Sequence, residues 1–183
     1  ANNLNSKKNE PNDLYPLDLN FCKKCSNSQL SVVVPPEKMF KNYLYLSSTS
    51  EQFQKHFIDF AKELKTKLNL DNKSLVVDIG SNDGIFLKPI KELGINVIGV
   101  EPAKNVAKIA NSKNLTTFPE FFSNKTVKKI KKKFGKADVV TAFNVFAHND
   151  KLKEILKNVE ELLTANGDFI FEVHYLKSLI DGK

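Results

Sequence analysis

The chain has 183 residues and a formal net charge of +7, with 28 basic against 21 acidic side chains. Hydrophobic residues make up 41%, which suits one well-buried domain plus a small appendage and excludes wholesale disorder. No apolar run approaches the ~20 residues of a membrane span, and the N-terminal ANNLNSKKNEPND lacks the apolar centre of a secretory signal, so a cytoplasmic protein is expected.

The positive charge permits nucleic-acid binding, but every basic residue is Lys. Arg is the preferred group for bidentate contacts to guanine and phosphate, so no nucleic-acid partner is expected. The chain begins on Ala1 and ends on LIDGK without an evident finishing element, which reads as a fragment.

Residues 1–14 are polar and expected to be loosely held. Residues 15–21 (YPLDLNF) alternate like a short strand and lead into Cys22-Lys23-Lys24-Cys25, which holds both cysteines of the chain. A CxxC pair in a cytosolic protein is usually half of a zinc knuckle or a redox pair. A redox pair opens a helix in a thioredoxin-like domain, and nothing around this one suggests that. Structural zinc takes four ligands, and His56 is not at a ligand spacing. Either a second CxxC lies upstream or the pair is vestigial here.

Residues 29–34 (QLSVVV) read as a strand ended by Pro35-Pro36, and an aromatic segment with Phe40, Tyr43 and Tyr45 follows. Ser48-Thr49-Ser50-Glu51 has the form of a capping box, with Ser48 as N-cap and Glu51 reaching back. The helix it opens is predicted to run to about residue 68, with Phe53, Phe57, Phe60, Leu64 and Leu68 on one face.

Residues 75–84 (LVVDIGSNDG) organise the rest. Leu75, Val76 and Val77 begin a buried strand, Gly80 and Gly84 make a loop, and an apolar run from Ile85 follows at helical spacing. Strand, glycine loop and helix form the first unit of a nucleotide-binding α/β fold. Residues 96–101 (NVIGVE) read as a second strand ending in Glu101, placed where such folds put the acceptor for ribose hydroxyls. The loop is not GxGxxG, because Asn82 takes the middle glycine position. Asp-x-Gly-x-x-x-Gly followed by a strand-end Glu fits a class I S-adenosylmethionine (SAM) methyltransferase better than a dinucleotide site.

A short helix over 103–111, a weak strand over 115–118, and a lysine-rich helix over 123–134 ended by Gly135 come next. Between the last two, Phe121 and Phe122 either flank an adenine or pack in the core. The lysines at 128–133 form a solvated face, since Val127, Ile130 and Phe134 take the helical positions. Residues 137–144 (ADVVTAFN) form a fourth strand running into Val145-Phe146-Ala147-His148. Asp150 is expected to cap the next helix, Asn166-Gly167 to turn the chain, and residues 168–173 to form a fifth strand. The βα alternation predicts a parallel, doubly wound sheet.

The segments YPLDLNFCKKC, FKNYLYLSSTSEQFQKHF, VVDIGSNDG, VIGVEP, ADVVTAFNVFAH and FEVHYL together resemble the SAM-dependent sugar C-methyltransferases that act on nucleotide-linked deoxysugars. The resemblance covers most of the chain from Tyr15. It implies an α/β chain with a Rossmann-like class I methyltransferase sheet, incomplete at its C-terminus, over 47–183. A remnant of a small zinc-binding domain over 1–46 precedes it. It also implies SAM as cofactor, a structural zinc with Cys22 and Cys25 as half its ligands, and a nucleotide sugar as substrate. The family's upstream cysteine pair is absent here, as is the later part that holds its Glu-His proton-transfer pair.

Methylating carbon requires a carbanion equivalent: a base removes the proton beside a sugar ketone, and a donor holds the enolate oxygen. His148, Tyr45 and Tyr43 are the candidates for that pocket. His148 could instead be a hydrogen-bonded loop residue, and the tyrosines ordinary packing. For SAM, the candidates are Asp78, Gly80, Asn82, Gly84, Glu101, Phe121 and Asn144. Glu101 would accept from ribose, and Asn82 would bond the amino-acid moiety or shape the loop. His174 stands where the family more often has Pro, and it receives no role. The alternatives are O- or N-methyl transfer to another small molecule, a SAM-binding fragment without turnover, and dinucleotide binding.

Overall fold

The computed structural model describes residues 13–182; the expectation for the N-terminal tail falls mostly outside them. A two-stranded antiparallel hairpin comes first, β1 (Leu19–Phe21) and β2 (Ser28–Leu30). Its tip carries Cys22 and Cys25. The strand expected over 29–34 stops at Leu30, just before Ser31 N donates to Asp18 O (2.9 Å) and closes the hairpin. Helix α1 (Pro36–Phe40) and a single turn of tight helix over Ser47–Thr49 lead to α2 (Glu51–Lys67).

Then follow β3 (Leu75–Ile79), α3 (Leu87–Glu92), β4 (Asn96–Val100), α4 (Lys104–Ser112) and β5 (Thr117–Phe118). The chain goes on through α5 (Asn124–Phe134), β6 (Ala137–Phe143), α6 (Leu152–Leu162), β7 (Leu163–Glu172) and α7 (Leu176–Ile180). The five later strands form one parallel sheet in the order β5-β4-β3-β6-β7. The chain winds outward from β3 to β5, returns beside β3 as β6, and winds the other way. That reversal opens a crevice at the C-terminal ends of β3 and β6.

The doubly wound expectation is met, and the reason lies in the strand sequences. Central strand β3 is buried at every position, so both of its faces are covered, and all of its side chains but Asp78 are apolar. Val76 packs with Val97 and Val139 beneath α2 and α3, while Leu75, Val77 and Ile79 pack with Val127, Ile130 and Val159 of α5 and α6. On the first face, Phe57, Phe60, Phe86 and Phe143 form an aromatic knot, with Phe86–Phe143 centroids 4.8 Å apart.

Four local expectations are corrected. Helix α2 is capped by Ser50, whose hydroxyl accepts from Phe53 N at 3.3 Å, because Ser48 is turned to a different partner described below. Helix α3 begins at Leu87, since residues 82–86 are spent on turns around the loop. Asp150 does not cap α6; Asn149 Oδ1 accepts from Lys151 N (3.3 Å) one residue before the helix. Asn166-Gly167 does not turn the chain. It lies in a register irregularity of β7, between the pairs Ala137–Leu163 and Val139–Asp168, so the strand continues as a bulge.

Phe86 is fully buried at the centre of the aromatic knot. Phe86→Ala is expected to cost about 3–5 kcal/mol in denaturant unfolding, and Phe86→Leu less, because a cavity there is walled by rings that cannot collapse into it.

Candidate functional site

A cavity of about 710 Å³ occupies the crevice. Its floor is the sequence of strand ends: Asp78 and Gly80 from β3, Glu101 after β4, Phe121 after β5, Asn144 after β6. Tyr43, Tyr45 and His148 line it from above the sheet edge. Of the ten residues singled out for catalysis and cofactor binding, nine line this cavity and Gly84 does not.

Gly80 is at φ +69°, and a Cβ there would overlap the Val145 side chain that follows β6. Its N–H donates to Val100 O at 2.7 Å, docking the loop onto the end of β4. Gly84, at φ +85°, instead packs against Leu115. Its requirement for glycine comes from the core side of the loop.

Glu101 is 6% exposed. One carboxylate oxygen accepts from Asn82 N (3.0 Å) and the other from Ala103 N (2.8 Å). Burial raises its proton affinity, and these two amides act in the opposite direction. Each oxygen keeps a lone pair for a ligand hydroxyl.

Asn82, at φ +49°, turns its side chain to neighbouring backbone groups. Its Oδ1 accepts from Ser47 N (2.9 Å) and Asp83 N (2.9 Å), and its Nδ2 donates to Tyr45 O (3.2 Å). Of the two roles expected for Asn82, shaping the loop is the one these bonds serve. Asp83, which the sequence reading passed over, accepts from Ser48 N (3.4 Å) and the Ser48 hydroxyl and pairs with Lys113 Nζ at 3.1 Å. Farther out, Asn105 Nδ2 donates to Tyr43 O (2.6 Å) and Tyr43 N donates to Asn105 Oδ1 (3.3 Å). The tyrosine segment is therefore stapled to the glycine loop and to α4.

Tyr43 and Tyr45 meet edge to face at 6.5 Å, Phe40 lies 6.1 Å from Tyr43, and the His148 ring is 6.2 Å from Phe40. His148 ends a helical turn that follows β6, and it is exposed to the cavity mouth. Asn144 sits at φ +55° and is held from β7: its N–H donates to Glu172 O (2.8 Å) and its Nδ2 to Glu172 Oε1 (3.1 Å). Glu172 in turn meets His56 Nε2 at 3.2 Å. His174 also lines the cavity.

Two cavity-lining polar groups were not foreseen. Ser81 Oγ and Asn158 Nδ2 are buried without a hydrogen-bond partner among the described residues. Asn158 had a signal in the sequence, as a polar side chain one turn after Ile155 within the apolar face of α6.

Cys22 and Cys25 are exposed, free thiols in a knuckle where Ser26 N donates to Cys22 O (2.8 Å) and Cys22 N to Asn27 O (2.9 Å). Backbone N–H groups of Cys25 and Lys24, with the Cys25 side chain, pull the Cys22 thiol below its ordinary range. No group of three or more potential metal ligands is found among the described residues, so the pair alone does not complete a tetrahedral site. Nor, among them, is any helix long and apolar enough to cross a membrane.

A parallel sheet in this order, with a glycine loop after its central strand and a strand-end Glu facing it, defines a Rossmann-like domain of the class I SAM-dependent methyltransferase type. The chain belongs to the methyltransferase-domain family, whose profile matches residues 50–181. It is 33% identical over 167 residues to the C-methyltransferase NovU of Streptomyces niveus, a match covering 91% of this chain and 40% of that protein. The chain thus spans less than half the length of this relative. Among solved structures, it is similar in fold to the plantazolicin methyltransferase BpumL in complex with SAH (TM-score 0.58, 18% identity, 74% of this chain and 53% of that one). It is likewise similar to a SAM-dependent methyltransferase from Clostridium acetobutylicum (TM-score 0.55, 22% identity, 69% and 52%).

Asp78 gives the site a pH dependence. It is buried, and its Oδ1 accepts from the hydroxyl of Thr141, its register neighbour on β6, at 2.7 Å. Burial pushes its pKa up from 3.8 to about 7, against the Thr141 bond and helped by the Glu101 charge. A raised folded-state pKa means the fold favours the protonated acid. Its contribution is full below pH 3.8 and is lost as pH rises to about 7. The ligand-free protein is expected to lose melting temperature across that window, and Asp78→Asn to flatten that limb of a pH–Tm profile.

Proposed function

We propose that this chain is the SAM-binding part of a methyltransferase that transfers methyl to a carbon of a nucleotide-linked keto-deoxysugar. The observation that carries the reading is the junction of two sets of residues in one cavity. Gly80, Glu101 and Asn144 lie on the sheet edge, with Tyr43, Tyr45 and His148 stapled or packed above them. The likeness to NovU supports methylation at carbon.

The donor set fits SAM. The lone pairs that Glu101 keeps beyond its two amide bonds suit the ribose hydroxyls. The left-handed turn at Gly80 brings the loop backbone to the cavity beside Asn144, which Glu172 fixes, and this edge suits the methionine end. Phe121 offers a flat apolar wall for adenine. When bound, the cofactor supplies an electrophilic methyl group. Tyr45, Tyr43 and His148 hold the sugar so that its enolate carbon faces that methyl in line, and a hydroxyl or imidazole N–H of this group donates to the enolate oxygen. A base from the later part of the full-length protein would take the proton beside the ketone and leave the electron pair on that carbon. The cofactor would supply the methyl group for the new C–C bond, with its sulfur as the leaving group.

The same reading assigns Cys22 and Cys25 to half of a structural zinc site completed by ligands outside the described residues, and it places the protein in the cytoplasm.

The test is incubation of the full-length protein with SAM and nucleotide-linked 4-keto-deoxysugars, with the product examined by NMR. The expected product carries a new C-methyl group and forms mole for mole with S-adenosylhomocysteine (SAH). His148→Ala is expected to lower kcat about 100-fold while leaving SAH affinity within about twofold. Methyl found on oxygen or nitrogen contradicts the reading.

A further inference from the structure

Asn158 is 3% exposed, lines the cavity, and has an Nδ2 without a partner among the described residues. A buried amide donor left unpaired opposes folding, whereas a leucine of similar size at the same position would not. The unpaired donor points to an acceptor that arrives with a ligand.

Its place on α6 says which part of the ligand it meets. One turn later on the same face, Glu161 accepts from Asn124 Nδ2 (2.8 Å) and Lys131 Nζ (3.2 Å), which fixes that end of α6 against α5. Both helices follow strands of one parallel sheet, so their N-terminal ends lie at the cavity edge. The turn before Glu161 therefore stands level with the start of α5 and with Phe121 and Phe122, which lead into it. Two aromatic side chains and one unpaired amide donor line the same cavity, a combination that suits a flat heterocycle with a ring lone pair.

We propose that Asn158 is the base-selecting residue of the cofactor site, donating its Nδ2 proton to an endocyclic nitrogen of the purine. This rests on the SAM reading above. It adds a specificity determinant carried by α6, a helix outside the strand-end loops that hold the other candidates.

The test is calorimetric titration of the full-length protein with SAH and with its 1-deaza, 3-deaza and 7-deaza analogues, each replacing one ring nitrogen by C–H. One of the three is expected to bind the wild type about tenfold more weakly than SAH. Asn158→Ala is expected to weaken SAH about tenfold and to bind that analogue as well as it binds SAH. Asn158→Leu, which keeps the size and removes the donor, is expected to behave like Asn158→Ala, with circular dichroism confirming both variants folded. The proposal is overturned if no deaza analogue is penalised by the wild type. It is also overturned if the penalty persists in both variants, or if a water already satisfies the amide and Asn158→Ala binds SAH within twofold of wild type. Wild-type protein that is folded and binds no SAH overturns the SAM reading itself, and this inference with it.

Discussion

The Glu101 carboxylate, bridging Asn82 N and Ala103 N, is the interaction on which the site depends. It ties the loop after β3 to the turn after β4, the two chain reversals that frame the crevice. Burial disfavours its charge, and the two amides offset that cost. With its backbone N–H taken by Glu101, Asn82 settles in the left-handed region that asparagine tolerates. Its side chain then faces outward, toward the segment before α2. Glu101 acts through Asn82 on Tyr45 and Ser47, and Asp83 repeats the arrangement with Ser48.

The cavity is thereby made of two halves with different mechanical support. The sheet half is rigid, since Asp78, Glu101 and Asn144 sit at the ends of strands buried on both faces. In the upper half, Tyr43 and Tyr45 are held by side-chain hydrogen bonds from the glycine loop and α4, and His148 packs its ring near Phe40. A ligand that settles the loop would settle the tyrosines as well.

Much of this was legible in the sequence because the signals were local. The unbroken apolar run of Leu75, Val76 and Val77 marks a strand buried on both faces, and the apolar spacing in α2, α5 and α6 marks the covering helices. Gly80, Glu101 and Asn144 were legible because the strand ends of such a sheet gather at one edge. What was missed depends on partners far along the chain. Ser48 reads as an N-cap until Asp83, 35 residues on, is seen to accept its hydroxyl. Gly84 reads as a ligand contact until Leu115 is seen to fill the space beside it. Asn166-Gly167 reads as the turn between helix and strand, but β6 holds the strand on both sides of it and leaves only a bulge. Asn158 is marked by one polar letter in an apolar stripe, a signal that acquires meaning only once its amide is seen to lack a partner.

The most direct measurement of the central claim is calorimetric titration of SAH into the wild-type protein and into Glu101→Gln, which keeps the side chain's shape and an acceptor oxygen. The account predicts micromolar binding to the wild type, weakened about tenfold or more by the substitution while the protein stays folded. A folded wild type that takes up no SAH, or two proteins that bind it equally, would contradict the assignment of this crevice to the cofactor.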